Sequence, residues 1–133
     1  MLSETDKKQL IEKAVDARKR SYSPYSHYPV GAAVLAESGK IYQGANIENA
    51  AYPSSICAER SAIFNAVSKG ERKLLAIAVV TKNGGSPCGG CRQRLAEFAA
   101  TDARLHLCGP EGVLETVTLG DILPRGFKSE ALG

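Results

Sequence analysis

Apolar residues along the chain switch between helical and extended spacing, and each switch falls at turn-forming residues. Leu10, Ile11, Ala14, Val15 and Ala17 form a stripe of helical period. Ser3 and Asp6 ahead of it resemble a capping box, which predicts a first helix over Ser3–Arg20, broken by Ser23-Pro24. Val30–Leu35 is an apolar run rich in Ala and Val, Glu37-Ser38-Gly39-Lys40 is a turn, and Ile41–Ala45 returns as the second strand of a hairpin. The stretch from Asn46 to Ser55 carries many amides and hydroxyls and reads as a loop. Ala58, Ala62, Ile63, Ala66 and Val67 then predict a helix over Cys57–Ser68, with Gly70 as its C-cap. Leu74–Thr81 is almost wholly apolar and suits a strand covered on both faces. Cys88–Ala99 reads as a third helix opening after a Gly-Gly-Ser-Pro loop. Arg104–Cys108 and Val113–Val117 read as strands, and Thr118–Leu123 as a short helix stopped by Pro124.

Helices alternating with strands late in the chain predict an α/β fold, a mixed sheet with helices packed on it. The length of 133 residues suits one domain over 1–133, and no repeat, low-complexity tract or long linker divides it. A net charge of +3, with Lys and Arg scattered among nearly as many acids, lacks the basic stripe of a nucleic-acid binder. No run approaches the ~20 apolar residues of a membrane span. Met1–Lys19 interleaves acids and bases without the apolar block of a secretory signal. The expected location is therefore cytoplasmic, without membrane or nucleic-acid partners. In a reducing compartment Cys57, Cys88, Cys91 and Cys108 read as thiolates or buried thiols, not as a disulfide set.

Two segments carry the candidate chemistry: Cys57-Ala58-Glu59 and Pro87-Cys88-Gly89-Gly90-Cys91, each at a predicted helix N-terminus. Exposed backbone N–H groups and the positive end of the helix dipole stabilise thiolates there. Cys88 and Cys91 share one helical turn and can reach a single ion, and Cys57 can supply a third ligand. Three protein ligands with one position left for water is the arrangement of a catalytic zinc site, one Zn2+ per chain. Glu59, two residues beyond Cys57, can stand beside the metal as a proton carrier. The layout is the all-cysteine form of the pattern known for zinc deaminases. Three thiolates leave a net charge of about −1 on the ion, which Arg60 and the helix N-termini, and more weakly Arg92, would offset. Other readings stand beside this one. A lone C-x-x-C can be a redox pair, although that leaves Cys57 and Glu59 without a role. Cys108 could close a structural zinc site, although at the end of a predicted strand it reads as an inert buried thiol. Glu59 could be a helix-surface glutamate.

With these residues placed, the chain resembles the short, homotetrameric class of cytidine deaminase over essentially its whole length. The matching segments are Ser23-Pro24-Tyr25-Ser26 with Val30-Gly31-Ala32-Ala33, Gly44–Tyr52, Cys57-Ala58-Glu59-Arg60, Ser86–Gln93, and Leu123–Phe127. The resemblance implies a three-layer fold, about five strands in a mixed sheet with helices on both faces. It implies hydrolysis of the 4-amino group of cytidine and deoxycytidine, with Glu59 passing a proton from a metal-activated water to N3 and later protonating the departing amine, which leaves as ammonia. Asn46 and Glu48 would hold the ribose. Tyr28 would flank the base, where Phe is the usual residue, and its extra hydroxyl calls for a partner. Ala58 and Ser86 would line the pocket through their backbones. Phe127, Ala50 and Tyr52 match positions that reach a neighbouring subunit's pocket, so a homotetramer with shared sites is implied. Nothing is assigned to His27, which is expected to face solvent, or to His106, which is expected to be structural. Rival readings are a blasticidin-type nucleoside or a base in RNA or DNA as substrate, and an inactive zinc-binding module.

Overall fold

The computed structural model describes residues 3–51, 55–84 and 89–123, with the backbone alone for 89–91. Helix α1 spans Glu4–Arg18. Its N-cap is Ser3, whose hydroxyl accepts from the Asp6 amide at 3.0 Å while the Asp6 carboxylate accepts from the Ser3 amide at 3.3 Å. This is the reciprocal pair expected from the sequence. Strands β1 (Gly31–Ala36) and β2 (Ile41–Ala45) form the hairpin, followed by α2 (Ala58–Ser68) and β3 (Leu74–Val80). Gly70 follows α2 with φ +100°, a left-handed conformation that glycine adopts without the Cβ penalty. The remaining elements are α3 (Gly89–Phe98), β4 (Ala99–Gly109), β5 (Gly112–Thr118) and the single turn α4 (Leu119–Ile122).

The strands lie in the order β2-β1-β3-β4-β5, antiparallel at every pairing except β3–β4. The sheet is therefore mixed, with helices on both faces. Leu10 and Ala14 of α1 pack with Ala33, Leu35, Ala76, Ala78, Val80 and Cys108 on one face. Ala58, Ala62, Ile63 and Ala66 of α2 and Leu95 and Ala96 of α3 pack with Val34, Ile77, Val79 and Leu105 on the other. Each fully buried Leu, Ile or Val contributes about 1.5–3 kcal/mol. β3 is the middle strand, which explains its unbroken apolar run: both of its faces are covered.

Two glycines set the thickness of these layers. A Cβ on Gly31 would lie 2.2 Å from the Ala14 carbonyl oxygen of α1. A Cβ on Gly44 would lie 2.3 Å from the Ala62 nitrogen of α2. Each helix backbone rests directly on a strand position where only hydrogen fits. One element departs from expectation: β4 begins at Ala99, directly after α3, five residues before the predicted strand.

Candidate metal and substrate site

The register locates the site. Gly31 stands opposite both Ala45 and Val80, and Val80 stands opposite Cys108. The ends of β2, β3 and β4 thus meet at one end of the sheet. The N-terminus of α2 sits at that end, since Gly44 lies against Ala58. The chain leaving β3 there leads to α3.

Cys57 is the N-cap of α2, in extended conformation (φ −77°, ψ 158°), and its side chain makes no capping hydrogen bond. It is half-buried and in no disulfide. A thiolate there lies beside the unpaired amides of the first turn. Glu59 is only 6% exposed, so the surface-glutamate reading fails. Burial, and secondarily the neighbouring Cys57, push its carboxyl up to about 7, against a small opposing pull from its own amide. A carboxyl tuned this way holds and releases a proton near neutral pH. Ala58 between them is fully buried.

Arg60, one helical turn from Cys57, has a buried Nε with no hydrogen-bond partner among the described residues. A buried cationic donor left unmatched one turn into this helix is compatible with a nearby centre of negative charge. Arg92 donates from Nη1 to the Ile122 carbonyl at the end of α4 at 2.9 Å. Cys91 lies in the first turn of α3, and Cys88 lies outside the described residues, as do Ser86, Tyr52 and Phe127. Cys57 and Glu59 are thus the candidate residues of this set whose side chains are described, and among the described residues no group of three or more metal-ligating side chains gathers.

The loop after β2 is tightly organised. The Asn46 Oδ1 accepts from the Val30 amide at 2.9 Å and from the Ser21 hydroxyl, and its Nδ2 donates to the Tyr28 carbonyl at 2.9 Å. One Nδ2 hydrogen remains uncommitted in this set. Glu48 Oε1 accepts from the amides of Tyr25 (3.0 Å) and Ser26 (3.1 Å), and Oε2 from the Ser26 hydroxyl. The Ser26 hydroxyl, then the two amides, hold the Glu48 carboxyl below its ordinary range, against partial desolvation. Tyr28 donates its amide to Ser26 Oγ at 3.1 Å and its hydroxyl to Asn83 Oδ1 at 2.5 Å, with Lys82 Nζ 5.5 Å from its ring centroid. The extra hydroxyl of Tyr28 therefore has its partner. Neither Asn83 nor Ser26 was singled out from sequence as a site residue. Ser26 was within reach through its motif, but Asn83 gives no local signal.

Ala50 is exposed in the same loop. His27 is exposed with φ 56°, in the left-handed region that histidine tolerates better than most side chains. His106 and Cys108 belong to the opposite, α1 side of the sheet. The His106 Nδ1 lies 3.0 Å from Thr116 Oγ1, and its buried Nε2 has no partner among the described residues. Burial, with Lys7 and Arg104 nearby, lowers its pKa. Burial pushes the Cys108 thiol up to about 11, and its Sγ donates weakly to the His106 carbonyl at 3.6 Å. On this face Cys108 cannot complete a site with Cys57. A cavity of about 920 Å³ also opens on this side, between Ser3, Lys7, Arg104, His106 and Thr116, away from Glu59. Among the described residues no helix is long and apolar enough to cross a membrane.

A family model described as the cytidine and deoxycytidylate deaminase zinc-binding region matches residues 4–106. The chain belongs to this family. Similar curated proteins include a cytidine deaminase of Halalkalibacterium halodurans, 45% identical over 94% of this chain and 96% of its own. Another, from Sporosarcina psychrophila, is 48% identical over 96% of this chain and 95% of its own. Among solved structures, the cytidine deaminase from Burkholderia pseudomallei superposes with a TM-score of 0.85 at 39% identity, covering 95% of this chain and all of that one. The layered fold is thus that of cytidine deaminases, and zinc is the metal of the matched region.

Proposed function

We propose that this protein hydrolyses cytidine and deoxycytidine to uridine and deoxyuridine, releasing ammonia, with Zn2+ held by Cys57, Cys88 and Cys91. The observation that carries this reading is Glu59, a carboxyl buried at the start of α2 two residues from Cys57, with burial raising its pKa. Zinc supplies, when bound, a water acidified toward neutrality. Glu59 would take one proton of that water and deliver it to N3 as the oxygen adds to C4. It would then carry the remaining hydroxyl proton to the amine as the C–N bond breaks, ammonia leaves and the C4 carbonyl forms. A single carboxylate can serve both transfers because the proton travels only a short way across the same face of the base. Arg60 offsets the thiolate charge.

Asn46 and Glu48 hold the ribose. The remaining Asn46 N–H can donate to a hydroxyl oxygen, and the ionised Glu48 can accept from a hydroxyl. Tyr28 flanks the pyrimidine and the Ala58 backbone lines the pocket. Phe127, Ala50 and Tyr52 complete neighbouring pockets in a homotetramer. Tyr22, Tyr25 and Ile47, 49–58% exposed around this loop, and Phe64, 49% exposed on α2, offer the apolar surface such an assembly needs. The protein acts as a single cytoplasmic domain over 1–133 on small nucleosides, without nucleic-acid or membrane partners.

The test is turnover by the purified, zinc-replete protein, followed as the absorbance lost with the 4-amino group. Cytidine and deoxycytidine should both react and cytidine monophosphate only slowly. A zinc-replete protein inert on all three would overturn the proposal.

A further inference from the structure

Tyr28 is fixed from every side. Its amide is held by Ser26 Oγ, its carbonyl by Asn46 Nδ2, its hydroxyl by Asn83 and its ring face by Lys82. Asn83 is itself set by Thr81, whose Oγ1 accepts from the Asn83 amide and donates to its Oδ1, both at 3.3 Å. Thr81 is buried, and its amide is anchored on the Cys108 carbonyl at 3.0 Å. The hydroxyl of Tyr28 thus joins two segments 55 residues apart: the loop that holds Asn46 and Glu48, and the chain leaving β3. Asn83 lies five positions before Cys88 in that chain.

We propose that Asn83 is a positioning residue that fixes the Tyr28 wall of the nucleoside pocket against the β3–α3 connection, through the Tyr28 hydroxyl. This rests on the nucleoside reading given above. The phenol is spent on Asn83, so it is not offered to the base as a donor. Its effect on substrate is steric: the ring is held at one distance and one tilt. A net hydrogen bond of ordinary strength shifts an equilibrium by about three- to tenfold. Because the ring is a wall and not a proton carrier, that shift belongs to binding.

Asn83→Ala and Tyr28→Phe should each raise KM for cytidine about three- to tenfold, with kcat within about twofold and zinc content unchanged. The double variant should be no worse than either single, because both remove the same bond. Asn83→Asp keeps the acceptor and should restore KM to near the wild-type value. Hydrogen exchange of the amides in 81–84 should quicken in Tyr28→Phe, a readout that does not need turnover. If wild type turns over cytidine but KM is unmoved in the single variants, or the two effects simply add, the clamp is wrong. If wild type turns over nothing, the nucleoside reading fails, and the exchange experiment still decides whether Tyr28 anchors the connection.

Discussion

Cys57 and Cys108 are the same residue type on opposite faces of one sheet, and their surroundings give them opposite chemistry. Cys108 lies in a finished layer: fully buried, its thiol pushed up to about 11, its proton on a backbone carbonyl. Cys57 caps a helix without using its sulfur for the cap, beside amides that favour a thiolate. The buried titratable neighbours differ in the same way. His106 is kept neutral by burial and bonded to Thr116, whereas Glu59 is poised near 7 at a helix start. On one face the thiol is shut in and protonated; on the other it stands at a helix start beside a buried carboxyl, the pair proposed above to serve a metal and a substrate. Burial alone does not mark a functional group. Burial at the end of an element, with capacity left over, does.

The largest break in this comparison comes from Glu59→Gln, which keeps the shape and removes the proton. It should lower kcat at least about 100-fold with zinc at wild-type stoichiometry. A variant within tenfold of wild type would remove Glu59 from the proton path. Next, Cys57→Ala should lose zinc and stability together, because thiolate ligation couples metal binding to folding. Cys108→Ala should keep full zinc and cost roughly 1–2 kcal/mol for the small cavity. Metal analysis beside urea denaturation separates the two, and equal zinc loss in both would erase the distinction between the faces. Gly31→Ala and Gly44→Ala press a methyl into α1 and α2 respectively, and each should cost roughly 1–3 kcal/mol or more. Only Gly44→Ala should also disturb activity, since it pushes on the helix that starts at Cys57. The smallest effect is the pH dependence of His106. Its folded pKa is lowered, so below about pH 6.5 the unfolded chain takes up a proton that the folded chain resists. Stability relative to His106→Gln should therefore fall as pH drops from 7.5 to 5.5, and the difference between the two proteins cancels other titrating groups. A difference that is flat or of opposite sign would show that burial does not hold His106 neutral.

Most elements were legible in the sequence because local pattern and tertiary demand agree. The Ser3–Asp6 cap, the turn at 37–40, the α2 stripe and the apolar β3 run are each specified by their own residues. β4 was not, at its start. Ala99-Ala100-Thr101-Asp102-Ala103 favours a helix end by composition, and it becomes strand because Ala99 pairs with Leu74 across a register shift. Cys57 and Glu59 stand out as candidates because a metal ligand and a proton carrier beside it demand particular residue types at short spacing. The burial of Glu59 was not readable, nor was the Tyr28–Asn83 bond, since contacts between distant segments leave no local periodicity. Strand order is likewise a property of the packed chain.

The single parallel pairing, β3 with β4, sets an order of assembly. The β1–β2 hairpin closes over a four-residue turn, while β3 can meet β4 only after the crossover through α3 is in place. Loop-closure entropy makes the first contact early and the second late. α2, which starts at Cys57, rests on the early hairpin, and Cys91 rides on the late crossover. On the proposed ligand set, ion capture belongs to a nearly completed chain, so refolding in a chelator should still protect first the hairpin and then the parallel pair, with metal uptake as the last step.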